Sequence, residues 1–135
     1  MRQQKQEEYR GFRTAGIRLT EELVPSLVSH RSDLIQPRLY TIHMFDKAHV
    51  TMLTEEGLIP RSAGVAMLHA LRKMEAQGVD QVRLRVQGGM HSGEQHLIRE
   101  LGEAVGGWIH LGRSSGDLGE VAARLYMRDR LLEVM

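Results

Sequence analysis

The sequence predicts a mainly α-helical protein, and three observations carry that prediction. Apolar residues recur at intervals of three and four through two consecutive stretches, as a helix with one buried face requires. A third stretch near the C-terminus opens on a capping pattern and keeps the same period. The apolar mass comes from eight Met together with Leu and Ala, while aromatic residues make up only 4%, so strongly β-prone runs are few.

The elements follow in order. Residues 1–16 are polar, with Arg2, Lys5, Glu7, Glu8, Arg10 and Arg13, and read as a flexible arm with little to bury. A small helical domain is expected over 17–116. Thr20 to Val24 can open one helical turn, which Pro25 limits, and Pro37 sits ahead of Arg38-Leu39-Tyr40 as a proline at a helix start. From Leu39, the positions Ile42, Phe45, His49, Met52 and Leu53 share one face, and Gly57 ends that helix. Leu58-Ile59-Pro60 makes a connector, and Ser62 is the expected cap of a second helix. Its apolar face is either Val65, Leu68 and Leu71 or Met67 and Met74, with Gly78 just past its end. The two together form a helical hairpin.

Val79 to Val86 alternates apolar and charged residues, which suits a short strand or an extended loop. Helical spacing resumes at 91–101 with Gln95, Leu97, Ile98 and Leu101. Gly102, Gly106 and Gly107 read as a glycine-rich linker to Trp108. The last helix, over 117–135, has Asp117 as its expected cap and Glu120 three residues on. Leu118, Val121, Ala122, Leu125 and Leu132 fall on its apolar face. No Gly, Asn or Pro closes it, so a continuation or a partner chain over that stripe is expected.

Composition excludes several classes of function. The 18 Lys+Arg and 17 Asp+Glu nearly cancel, which argues against a nucleic-acid partner. A helix-turn-helix reading of 39–77 fails for the same reason, because the second helix offers only Arg72 and Lys73 near its end. With no cysteine, disulfides, thiolate zinc sites, iron–sulfur clusters and thiol nucleophiles are all ruled out. No apolar run approaches a membrane span and the N-terminus lacks a signal-peptide core, so a cytoplasmic chain with no membrane partner is expected.

The segment most like a site is His110-Leu111-Gly112-Arg113-Ser114-Ser115-Gly116-Asp117. Its glycines allow a tight turn, its serines offer hydroxyls, and Arg113 offers a planar fork for a carboxylate or phosphate. It feeds into a helix N-terminus, where free N–H groups and the macrodipole attract anions. The plainer alternative is a polar loop with a good N-cap. A lysine-bearing phosphate loop is excluded, since no Gly-Lys-Ser/Thr occurs.

His91, Glu94 and His96 form His-x-x-Glu-x-His, which lacks the i, i+4 pair of a zincin helix, so neither a metal site nor a cofactor is expected. His49, on an apolar face, reads as a hydrogen-bonded core or interface residue. A triad of Ser114, His110 and Asp117 is conceivable, but residues so close in sequence favour local capping bonds. The pairs Glu7-Glu8 and Glu55-Glu56 read as helix-start or solvated charges, so no catalytic residue is assigned.

These pieces together resemble the N-terminal part of argininosuccinate lyase, in the aspartase/fumarase superfamily. That family carries a His, then after nineteen residues His-Thr-Gly-Arg-Ser-Arg-Asn-Asp, then a helix with Leu-x-x-Arg-Asp. Here the same spacing gives His91, then His110 to Asp117, then Leu125-Tyr126-Met127-Arg128-Asp129. Upstream, Arg38-Leu39-Tyr40, Ala48-His49, Met52-Leu53, Gly57-Leu58-Ile59 and Ala70-Leu71 resemble the family's first helical hairpin. Ser32 matches its early substrate-contacting serine. The resemblance covers residues 32–135 and only the first part of a family member.

The resemblance implies β-elimination of argininosuccinate to arginine and fumarate, in which a base removes a proton and fixed donors stabilise the anion that forms. It implies Ser32, Arg113, Ser114, Ser115, Gly116 and Asp117 as substrate contacts, with His91 and His110 supporting them. It also implies a dicarboxylate amino-acid substrate and a homotetramer around a helical bundle, whose long central helix would begin at 117–135. Ser115 and Gly116 stand where the family has Arg and Asn, and Gln95 where it has Glu. The family's Thr-His segment and its Gly-Ser-Ser-x-Met-Pro-x-Lys-x-Asn loop are missing, and with them its acid/base groups. A related lyase with another substrate, or a non-catalytic module for oligomerisation or carboxylate binding, fits the same departures.

Overall fold

A computed structural model describes residues 38–86 and 88–135, all within one compact unit, Ser32–Met135. The expected arm at 1–16, the turn at Thr20 to Val24 with Pro25, Ser32 and the helix-starting Pro37 lie outside the described residues. No strand occurs among the described residues.

Helix α1, Leu39–Glu55, buries Leu39, Ile42, Val50 and Leu53 against the core, and with them Thr41, His43, Asp46 and His49. Phe45 is half-buried, while Met52 of the expected face is exposed, as is Met44. Gly57, at φ +65°, ends the helix, and the Leu58 N–H reaches back to the Leu53 carbonyl at 3.0 Å. That left-handed turn is the conformation glycine adopts without strain.

Helix α2, Arg61–Gln77, buries Met67, Leu71 and Met74, so the core face takes both methionines and Leu71 from the two alternatives, with Leu68 partly buried beside them and Val65 exposed. Ser62 does not cap it. The N-cap position is Pro60, with no side-chain cap, because the extended chain at the proline already turns into the helix two residues earlier.

Residues Val79–Val86 form helix α3, which corrects the expectation of a strand or extended loop. The apparent alternation conceals a helical stripe: Val79, Val82 and Arg83 are buried, Val86 packs against the core and Leu84 is exposed. A lone strand would leave its backbone groups unpaired, whereas a helix satisfies them within the segment.

After a 3₁₀ turn at Gly89–His91, helix α4 spans Ser92–Leu101 and helix α5 spans Glu103–Gly106. A second 3₁₀ turn, Gly107–His110, follows directly. The glycine-rich linker is therefore ordered helix. A Cβ on Gly106 would lie 2.5 Å from the Leu97 carbonyl carbon, so this glycine is needed for close approach of α5 to the α4 backbone. Ile109 is fully buried in the main core with Leu53, Met67, Leu71 and Leu97.

Helix α6, Ser115–Val134, is capped by Ser114, with Asp117 as the reciprocal partner three residues on. The capping box is real, but Asp117 is its second member, because the Ser114 hydroxyl is the group placed to accept from the Asp117 N–H at 3.3 Å. Leu118 and Ala122 join Ile42 in a second, smaller core. Leu132, expected on the same face, is 62% exposed, with Met127 and Leu131 exposed near it. The apolar stripe is longer than the surface α1 offers to cover it.

Candidate functional site

The chemistry of this fold gathers around Asp46, which is 1% exposed. Its Oδ2 accepts from Arg83 Nη2 at 2.5 Å and its Oδ1 accepts from Arg113 Nη1 at 2.6 Å. One carboxylate thus joins α1, α3 and the loop before α6. Burial alone would push the Asp46 carboxyl up, but Arg83 and then Arg113 outweigh it and hold it below the usual carboxylate range. Arg83 also donates to Ser92 Oγ at 3.3 Å. A Cβ on Gly93 would lie 2.2 Å from Asp46 Oδ2, so α4 approaches the cluster through a residue with no side chain.

His43, fully buried, completes the cluster. Its Nε2–H donates to Glu75 Oε1 at 3.1 Å, and its Nδ1 faces Arg83 Nη2 at 3.5 Å. Only a neutral ring can donate on one side and accept on the other. Burial and then Arg83 lower its pKa, which agrees with that tautomer. The buried part of the cluster therefore holds two guanidiniums against the one carboxylate of Asp46, while the partly exposed Glu75 is paired with Lys47 at 2.6 Å, so one positive charge is in excess. Arg83 Nε and Arg113 Nε are buried without a hydrogen-bond partner among the described residues.

The loop from His110 to Asp117 lies over this charge. His49 Nε2–H donates to the Leu111 carbonyl at 2.9 Å, which makes His49 the hydrogen-bonded, buried residue its position suggested. Arg113 turns inward: it is 8% exposed, bonded to Asp46, and its guanidinium sits 5.7 Å from the centre of the Phe45 ring. The fork expected to meet a ligand carboxylate meets an internal one instead.

Ser114, Gly116 and Asp117 are exposed at the helix start, whereas Ser115 is buried and its Oγ has no partner among the described residues. Ser114 and Asp117 bond to each other locally, the capping arrangement rather than a triad. His110 is directed to Glu94 Oε2 at 3.0 Å. Ser32 lies outside the described residues.

His91 and His110, nineteen residues apart, converge on the same oxygen: His91 Nδ1 is 3.6 Å from Glu94 Oε2. The two rings are 5.8 Å apart. Burial would raise the Glu94 carboxyl, but the bond to His91 and the charge and bond of His110 bring it below its usual value. These three residues could hold a metal ion, their ligand atoms lying within 4.8 Å of one another. His96 does not join them; it is buried elsewhere on α4, with burial lowering its pKa.

Sequence reasoning missed Asp46, Arg83 and the partnership of Glu94 with His110. A signal existed for Asp46, a charge at a position that its helix's apolar period assigns to the core, whereas the strand-like alternation of 79–86 hid Arg83.

Curated relatives named argininosuccinate lyase include one from Methanococcus maripaludis, 36% identical over 92 residues, or 67% of this chain and 19% of the relative. One from Pyrobaculum aerophilum is 33% identical over 106 residues, 78% of this chain and 24% of the relative. One from Methanosarcina barkeri is 36% identical over 86 residues, 64% of this chain and 18% of the relative. The chain thus spans about a fifth of the length of the curated relatives it matches. No protein-family model matches it, and no solved structure does so significantly.

Proposed function

We propose that this chain, a homologue of argininosuccinate lyases over about two thirds or more of its length, is the N-terminal portion of a lyase of that type. In this reading it carries part of the surface that binds argininosuccinate during elimination to arginine and fumarate, and the acid/base groups belong to other polypeptide. The observation that carries the proposal is the loop His110 to Asp117, anchored from beneath through Arg113 and Asp46 and opening a twenty-residue helix.

Elimination develops negative charge on a carboxylate, and fixed donors aimed at that charge lower the barrier. The first N–H groups of a helix have no partner within it. Ser114 occupies the Asp117 N–H, leaving the amides of Ser115 and Gly116 as the donors for an anion, with the excess charge of Arg83 and Arg113 beneath them. Arg113 acts here as a positioning residue and a nearby charge, while Ser114, Gly116 and Asp117 form the exposed surface. The last helix, α6, starts a central bundle over the expected 117–135 segment and associates with further copies of the chain.

Amide NMR of the isotope-labelled chain, titrated with argininosuccinate and with fumarate, tests this reading. Shifts confined to residues 113–118 are expected. A titration that moves none of these amides overturns it, and fumarate release by the purified chain alone overturns the placement of the acid/base groups elsewhere. A second reading, a carboxylate-binding module or a lyase of different substrate, is favoured by the burial of Ser115 at a position where the family pattern has Arg. Shifts with fumarate but none with argininosuccinate select it.

A further inference from the structure

We propose that His91, Glu94 and His110 form a binding site for a divalent cation that takes nitrogen and oxygen ligands, with zinc as the representative ion. The three residues come from two separate 3₁₀ turns and the first turn of α4. Both imidazole Nδ1 atoms point at one carboxylate oxygen, at 3.0 and 3.6 Å. Ligand atoms about 2.0–2.1 Å from a tetrahedral zinc lie about 3.3 Å apart, and the two observed separations straddle that value. The third separation is no more than 4.8 Å.

The backbone that presents these ligands is held in place. Ser92 and Gly93, beside Glu94, and Ile109, beside His110, are buried. The site is nevertheless reachable: the side chains of His91 and His110 are 27% and 22% exposed, against 4% for Glu94. Two imidazoles and one carboxylate make a three-ligand set that leaves a fourth position for water or a small anion. The inference rests on this geometry and is independent of the reading of the loop as a substrate site.

The test uses the full chain, titrated with zinc in competition with a chromophoric chelator, and with cobalt followed by its visible absorption. One equivalent of bound metal and an intense tetrahedral cobalt band are expected. His110→Ala and Glu94→Gln should each weaken binding by more than about 100-fold, beyond what loss of an outer-shell partner costs. His69→Ala, at an exposed histidine on α2, should leave it unchanged. Circular dichroism checks folding, and His91→Ala, at the most exposed ligand, stands in if Glu94→Gln does not fold. Absence of stoichiometric binding overturns the proposal, as does binding that survives both His91→Ala and His110→Ala.

Discussion

Asp46 is the residue on which the described structure depends most. Asp46→Asn leaves two buried guanidiniums without a counter-charge and should cost about 3–5 kcal/mol, measured by urea denaturation. Arg113→Ala should cost less, because the surviving Asp46–Arg83 pair is balanced in charge. An equal or larger loss for Arg113→Ala would contradict this ordering. The pH dependence has a definite sign. Asp46 lies below its ordinary 3.8 when folded, so the unfolded chain binds its proton more readily. Its contribution is complete above that value and is lost as pH falls through the folded pKa. His43, lowered from 6.5, acts in the same direction at higher pH: stability declines as pH drops below 6.5, until the folded ring also protonates. Stability should therefore weaken in two stages on acidification, with the lower one reduced in Asp46→Asn, where Glu94, also lowered, still contributes.

At the scale of elements, the helices with a clean apolar period were legible. The hairpin of α1 and α2 follows from Leu39, Ile42, Leu53, Leu71 and Met74, each on a face that the sequence pattern identifies. The reading failed where local pattern and tertiary demand diverge. In α3, Val82, Leu84 and Val86 mimic a strand, but Arg83 must reach Asp46, and the helical register brings it there. Near Gly102, Gly106 and Gly107, glycine suggested a linker, whereas Gly106 permits contact between two helical backbones. Gly106→Ala is expected to destabilise the protein at the upper end of about 1–3 kcal/mol, since backbone atoms cannot rotate away as a side chain can. Thermal unfolding checks this, and an unchanged midpoint would show that α4 and α5 separate easily.

Across the whole molecule, most of the core lies among α1 to α5, and α6 is held mainly by Ile42, Leu118 and Ala122 with Phe45 and Met90 beside them. A groove of about 420 Å³ runs between α1 and α6, lined by Tyr40, Met44, Phe45, Val121 and Leu125 among others. Past it, Leu131 and Leu132 are exposed. No helix among the described residues is long and apolar enough to cross a membrane. The association of copies proposed above predicts a scattering mass larger than the 15.3 kDa of one chain. Leu131→Glu with Leu132→Glu should return it to that of a monomer. A monomeric wild-type chain would remove the bundle assignment of residues 117–135.

Periodicity, caps and the ordered pieces from His91 to Asp129 determined the helical class and the kinship, because helix formation and capping depend on neighbours along the chain. What packs against what was decided only in three dimensions. The pairing of Asp46 with Arg113 spans 67 positions, and that of Glu94 with His110 spans 16. Such distances are set by how helices stack, and no local pattern encodes them. That is why Arg113 reads in the sequence as a hand extended to a ligand and in the fold as a tether to the core.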